Sequence, residues 1–553
     1  MSLRPALLCT ALALLAGCGG DTAPVVPVPA ATAAASGAAS RRIEADVAFL
    51  ADDLLEGRAT GTRGYDLASL YVANRMRAIG LEPAGDDGGW FQQVPLIEGR
   101  RKREGAELRL RRGDLDTVFA FQDEFLPAIN FNAASHRLEA EMVFVGQAVH
   151  APELDHDDFA GVDLRGKVAV LFSGAPARFP VTQRAYYASS QKKLAELVAR
   201  GAIGTLGLGH PVDEAKSPWA RGAANWQRPG SRLLDAGGRP LDSFPELQAN
   251  ATLSVAAARK LLEGAPVSAD ELFARREAGT LTPFVLPGRI VLAGGSTLQR
   301  FDSRNVVGRL PGSNPALAGE HIAYTAHLDH LGLGAEVAGD GVYNGALDNA
   351  VGVAVMLEAA TELAADARRP GRSSLFIAVT AEERGLLGAD YFVRFPTVPR
   401  KSLVANINMD MPVLLTEVSD VVPIGIQHSS LEADVTAAAR ELGMVLTPEP
   451  MPEEVLFVRS DQFAFVRQGI PAVYLVAGIK AVAPEVDAMA LFTDFLRGHY
   501  HQPSDDTGRP IHYPSAARLA RLNAAIGRRV GDAPERPRWK DGDFFGRTFA
   551  GDR

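Results

Sequence analysis

Two neighbouring glutamates, Glu382 and Glu383, sit in the segment VTAEERGLLGAD at the end of the apolar run SSLFIAVT. The run reads as a buried strand. Adjacent side chains at a strand end point in different directions, so the two carboxylates are free to serve separate purposes. Acids and imidazoles stand at comparable places elsewhere. The run HIAYTA leads into His327-Leu328-Asp329-His330, and a loop carries Asn344-Gly345-Ala346-Leu347-Asp348-Asn349 up to a helical pattern. SLVANINM leads to Asp410, and the polar loop HYHQPSDD holds His499 and His501. Imidazoles and carboxylates without thiolates suit zinc or a similar divalent ion. A two-ion centre needs a carboxylate bridging ions about 3.5–4 Å apart, and a base outside the coordination shell. A Glu-Glu pair can divide between coordination and proton transfer. A lone Glu-Glu or His-x-Asp is commonplace on a solvated surface. Five such elements in order, each at a strand end or the adjoining loop, are not.

The elements that must hold these groups alternate. From about Arg289 the chain runs HIAYTAH, NAVGVAVMLEAATELAADA, SLFIAVT, SLVANINMD, GIPAVYLVA and PSAARLARLNAAIGRR. Strand and helix in turn predict an α/β fold, a largely parallel mixed sheet with helices on both faces. Such sheets carry their sites at the carboxyl ends of the strands. Ahead of this lie two amphipathic helical patterns, IEADVAFLADDLL and YDLASLYVANRMRAIG, separated by the turn EGRATGTRG. Between them and the alternating part the texture changes to short strands and turns, predicting a small β-rich domain that covers the site. The boundaries are 42–129 for the first part, 130–287 for the small domain and 288–553 for the main α/β part.

Composition narrows the class. A chain of 553 residues exceeds one ordinary core. Its 57 basic and 66 acidic residues give a net charge of −9, the wrong sign for a nucleic-acid partner. Both cysteines, Cys9 and Cys18, fall in the first twenty residues, so no cysteine zinc site or disulfide framework is available to the folded part. The start, MSLRPALLCTALALLAGCGG, has an early positive charge and an apolar run too short to span a bilayer. Leu15-Ala16-Gly17-Cys18 resembles a bacterial lipoprotein cleavage box. It implies a signal peptide over 1–18, a lipid anchor on Cys18 and export to the cell envelope. Residues 19–41, rich in Ala, Pro, Ser and Thr, read as a flexible tether.

The order His327-x-Asp329, Asn344-Gly-Ala-x-Asp348-Asn349, Glu382-Glu383-x-Gly-Leu-Leu-Gly388, Asn408-x-Asp410 and His501-x-Pro-x-Asp505 resembles that of the M28 peptidases, the co-catalytic zinc aminopeptidases and their relatives. The likeness extends to residues 50–83 and 459–473, and the middle region resembles the protease-associated (PA) domain often inserted in these enzymes. The resemblance implies two Zn2+ ions, one on His327 and Asp410, the other on Glu383 and His501, with Asp348 bridging. It makes Glu382 the general base and Asp329 the acceptor of the free ring N–H of His327. It also implies a cis peptide after Asp348. The substrates would be peptides with a free N-terminus, attacked by a water shared between the ions. His321, His330 and His499 are left as structural or surface residues. Gln462, where many relatives carry His, bears on the substrate pocket. The alternatives are a glutaminyl cyclase-like zinc acyltransferase, an M20-type carboxypeptidase or deacylase, and a binding ectodomain that has lost its chemistry. Intact ligand positions speak against the last, and the DNAVGVAV segment with its PA-like neighbour against the M20 type. Gly332-Leu-Gly334 lacks the helix start of a dinucleotide fingerprint.

Overall fold

The computed structural model describes residues 30–551. The proposed signal peptide and Cys18 lie outside the described residues. Helix α1 (Ala30–Leu50) begins inside the stretch read as a tether, and Ala39 is already buried in the main core. An Ala-rich segment with a packed surface to rest on gains helix where composition alone predicts coil. Helix α2 (Arg63–Ile79) starts at Thr62, whose hydroxyl accepts the Tyr65 amide, and stops at Gly80, whose φ of 92° suits a residue without Cβ.

Strand β1 (Phe91–Arg112) follows, then β2 (Ser135–Phe144), β3 (Val168–Phe172), β4 (Gly204–Leu208) and β5 (Ala249–Leu253). Strand β6 (Phe284–Leu310) leads into β7 (His321–His327), α3 (Val351–Ala364), β8 (Ser373–Val379), α4 (Leu387–Arg394) and β9 (Leu403–Asn408). The chain closes with β10 (Asp420–Ile424), β11 (Ala472–Ala477), α5 (Ala488–Gly498) and α6 (Tyr513–Asp532).

The catalytic half of the sheet runs β10-β11-β9-β7-β8-β6. Its four central strands, β11, β9, β7 and β8, are mutually parallel, while β10 and β6 are antiparallel flanks. The predicted α/β class with a largely parallel mixed sheet therefore holds. Alternation along β7 shows why helices cover both faces. Ile322, Tyr324 and Ala326 join the core under α1, α2, α3 and α6, whereas Ala323 joins the opposite one with Ile377 and Phe392. Helix α3 is buried almost all round, so its pattern is apolar rather than amphipathic.

β1 and β6 form one long antiparallel ribbon, from Phe91 opposite Val306 to Arg111 opposite Arg289, with an irregularity between Ala293 and Gly295. One end of β6 pairs with β8, and the other pairs with β2. The ribbon thus leads from the main sheet to β2–β5, which have a core of their own. That core draws on Leu108, Phe119 and Phe125 and on Ile290 and Leu292, beyond 130–287 on both sides. Among the described residues no helix is long and apolar enough to cross a membrane.

Candidate metal centre

His327, the Glu382–Glu383 pair and Asp410 sit where parallel strands run out, while Asp348 precedes α3 and His501 follows α5. His327 is the last residue of β7, and Leu328 donates its amide to Val379 O at 2.8 Å, tying that end to β8. Beyond β9, the Met409 amide donates to Thr325 O at 2.8 Å and brings Asp410 alongside His327. Beyond β8, Ala381 takes φ 55°; Met411 and His501 take φ 40° and 59°. Non-glycine residues seldom hold such angles, and their concentration beside one cluster marks a functional geometry.

The side chains converge in two groups that share Asp348. In the first, candidate ligand atoms of His327, Asp348 and Asp410 all lie within 4.8 Å of one another. His327 Nε2 is 3.0 Å from Asp410 Oδ1 and 3.1 Å from Asp348 Oδ1. In the second, His330, Asp348 and Glu383 meet the same limit. His501 Nε2 adds contacts of 3.1 Å to Glu383 Oε1 and 3.3 Å to Asp348 Oδ2. All five residues read from sequence as ligands are therefore gathered here. The peptide bond between Asp348 and Asn349 is cis, as the resemblance implied.

Two expectations need correction. His330, set aside as structural, belongs to the cluster: its Nδ1 is 2.9 Å from Glu383 Oε1. His330 follows three residues after His327 and bridges to Ala59. The ring N–H of His327 does not reach the Asp329 carboxylate either. His327 Nδ1 faces the Asp329 backbone oxygen at 3.1 Å, leaving the carboxylate free. That carboxylate accepts the amides of Glu382 at 3.1 Å and Glu383 at 3.4 Å and the Thr60 hydroxyl at 3.0 Å. Asp329 thus fixes the glutamate pair as well as the histidine.

Arg58, not singled out by sequence, and Asp505, part of the last motif but without an assigned role, hold the frame. Arg58 is buried and donates to Leu328 O at 2.9 Å, Asn344 O at 2.6 Å, Gly345 O at 3.1 Å and the Leu50 carbonyl. Asp505 accepts the amides of Leu347 at 2.9 Å and Asp348 at 3.0 Å. Gln462 is wholly buried and accepts Asn408 Nδ2 at 2.8 Å, so it supports β9 rather than facing substrate. His499 bonds Ser504, and His321 bonds Ser402 at the opposite end of β7, both away from the cluster.

The donor set fits divalent ions. The buried Glu383 Oε1 and both ring nitrogens of His330 are without aligned hydrogen-bond partners, although their distances are short. Carboxylates and imidazoles packed this closely, sharing Asp348 and lacking thiolates, have the composition of a zinc site. The electrostatics divide the glutamates. Burial pushes the Glu382 carboxyl well above its usual range against the pull of His327, and Asp410, Glu383 and Asp461 push it further. Burial and Asp348 also press on Glu383, but His330 and His501 outweigh them and bring it to about 2. A cavity of about 400 Å³ opens beside the first group. Glu382, His327, Asp348 and Asp410 line it together with Met411, Leu456, Val476 and Phe492; Glu383 does not. None of its lining residues lies in 130–287, so the expected cover from that region is not part of the cavity wall.

Residues 305–527 match the model for peptidase family M28. The structure is similar to an aminopeptidase from Aneurinibacillus sp. strain AM-1, with 20% identity, TM-score 0.51, and 90% of this chain and 95% of that chain covered. It is also similar to a zinc aminopeptidase from Bacillus subtilis, with 19% identity, TM-score 0.42, and coverage of 90% and 96%. A third similar structure is a peptidase M28 precursor from Shewanella amazonensis SB2B, with 16% identity, TM-score 0.40, and coverage of 91% and 99%. The family match falls on the strands and loops that build the cluster, and this part of the chain, residues 305–527, carries the peptidase family M28 pattern.

Proposed function

We propose that the protein is a two-zinc exopeptidase, an aminopeptidase that removes N-terminal residues from peptides. The observation that carries this reading is the pair of ligand groups joined through Asp348, with Glu382 alone of the two glutamates in the wall of the adjoining cavity. His327 and Asp410 would hold one ion, Glu383 and His501 the other, with Asp348 between them and His330 beside the second. Bound there, the ions supply Lewis acidity that polarises a carbonyl and acidifies water.

The chain's own groups do the rest. Glu382 takes a proton from the attacking water and returns it to the leaving amine, as a general base and then acid. Asp329 holds the backbone of the glutamate pair, and Asp505 holds the backbone of Asp348. The apolar wall of Met411, Leu456, Val476 and Phe492 receives the side chain of the substrate's first residue.

The test is a panel of aminoacyl chromogenic amides, N-blocked controls and N-terminal Gln peptides, with and without chelator. Chelator-sensitive cleavage of free N-termini only is the expected result. Ammonia release from Gln peptides, or cleavage of the blocked controls, would replace the reading. We further propose that Cys18 carries a lipid that holds the enzyme at the outer face of a membrane. Cys18→Ser should then move the protein out of the membrane fraction and leave turnover unchanged, since every site residue is far from it in sequence. A wild-type protein found wholly soluble, cut elsewhere, would remove the anchor from the account.

A further inference from the structure

A second cavity, about 470 Å³, lies among β3, β4 and β5, and none of its lining residues is shared with the catalytic cavity. Its apolar wall includes Phe131, Leu194 and Phe244. Two cations also line it. Lys193 is only 5% exposed, and its ammonium donates to the Gln147 backbone carbonyl. Arg232 lies over the Phe131 ring at 4.9 Å, donates from one terminal nitrogen to Ser231 O at 2.8 Å, and has a buried Nε with no hydrogen-bond partner.

The acids on the same wall are mostly committed elsewhere. Asp213 is bonded by Arg276 at 2.8 Å, and Asp242 pairs with Arg394 at 2.5 Å. Glu214 remains, at the partly exposed edge. Neither Lys193 nor Arg232 has an ion pair of its own among the described residues, and the half-buried Arg232 carries its charge at a cost that an anion would offset. A guanidinium stacked on an aromatic ring keeps its terminal N–H groups for a carboxylate.

We propose that this cavity is a binding site for an organic carboxylate with an apolar body, its carboxylate paired with Arg232 and its apolar part against Phe131, Leu194 and Phe244. Lys193 stands on the same wall as a second donor. Such a carboxylate belongs equally to a free aromatic or aliphatic acid and to the C-terminal end of a peptide. The inference rests on this cavity alone and is independent of the catalytic reading.

The experiment is calorimetric titration of the full chain with hydrocinnamate (a free acid) and N-acetylphenylalanine (a peptide-like C-terminus), each beside its uncharged primary amide. Saturable binding of at least one acid is expected, with the amide weaker by about tenfold to a hundredfold, the worth of a charge-assisted hydrogen bond. Whichever acid binds more tightly identifies the source of the carboxylate. Arg232→Gln should weaken the acid by a similar factor, while Arg232→Lys recovers only part of the binding and turnover is unchanged in both. No binding by either acid, or equal binding of acid and amide, overturns the proposal. Binding that survives Arg232→Gln also overturns it, because the acid would then sit elsewhere, at the metal cluster for example. The amide comparison needs no substitution, so the proposal stays testable if a variant fails to fold.

Discussion

Arg58→Met should destabilise the catalytic half and loosen its hold on metal. The guanidinium is buried and, among the described residues, pairs with no carboxylate; its partners are the carbonyls of Leu50, Leu328, Asn344 and Gly345. Leu328 follows His327, and Asn344-Gly345 opens the loop to Asp348, so one side chain sets the spacing of two ligands. Burial lowers the arginine only to about 10, so it stays charged at neutral pH. Each buried carbonyl stripped of its donor costs about 1–3 kcal/mol. Relief from burying the guanidinium offsets part of that sum, leaving a net loss of about 2–4 kcal/mol. Arg58→Lys should recover part of the loss, since an ammonium keeps the charge but not the planar fork that reaches several carbonyls. Urea unfolding followed by circular dichroism, with metal content measured after dialysis, checks both effects. A loss below about 1 kcal/mol with metal retention unchanged would refute the reasoning, because it would mean that the four carbonyls find other donors without moving the loops.

Two further outcomes follow from the same geometry. His330→Gln should weaken one of the two metal equivalents by about 10–100-fold and leave the other intact, the usual cost of removing a close partner of a metal ligand; a zinc titration that overlays the wild type would make His330 a spectator. His321 should contribute to acid sensitivity: burial, with Arg309 nearby, holds its imidazole at about 4 against 6.5 when unfolded. A depressed histidine gives stability that is present above about 6.5 and is lost as pH falls towards 4, here up to about 3 kcal/mol. Unfolding free energies should therefore fall less between pH 7 and pH 4 in His321→Gln than in the wild type, and parallel profiles would contradict the assignment.

What could be read from sequence follows what is local. Strands β7, β8 and β9 are uniformly buried, so their apolar runs are unmistakable, and the acids and histidines that break those runs mark the sheet's working edge. Helix α2 carries its own start and stop in Thr62 and Gly80. The ribbon of β1 and β6 was not legible, because RRKREGAELRLRR looks like a solvated loop. Its strand character comes from pairing with residues far along the chain, such as Gly99 with Leu298. Arg58 sits in a turn that reads as surface, and only the fold reveals that two distant carbonyl-bearing segments close around it. His330 had the right spacing, but spacing alone does not separate a histidine that returns to the cluster from one that turns to solvent.

The most direct test of the central claim compares Glu382→Gln with Glu383→Gln, measuring zinc content and turnover on the same preparations. If Glu382 moves the proton while Glu383 holds metal, Glu382→Gln keeps both zinc equivalents and loses about 10²–10⁴-fold in kcat. Glu383→Gln should instead lose zinc, with activity partly restored by excess metal. Loss of zinc from Glu382→Gln together with full zinc in Glu383→Gln would contradict the division of labour between the two carboxylates.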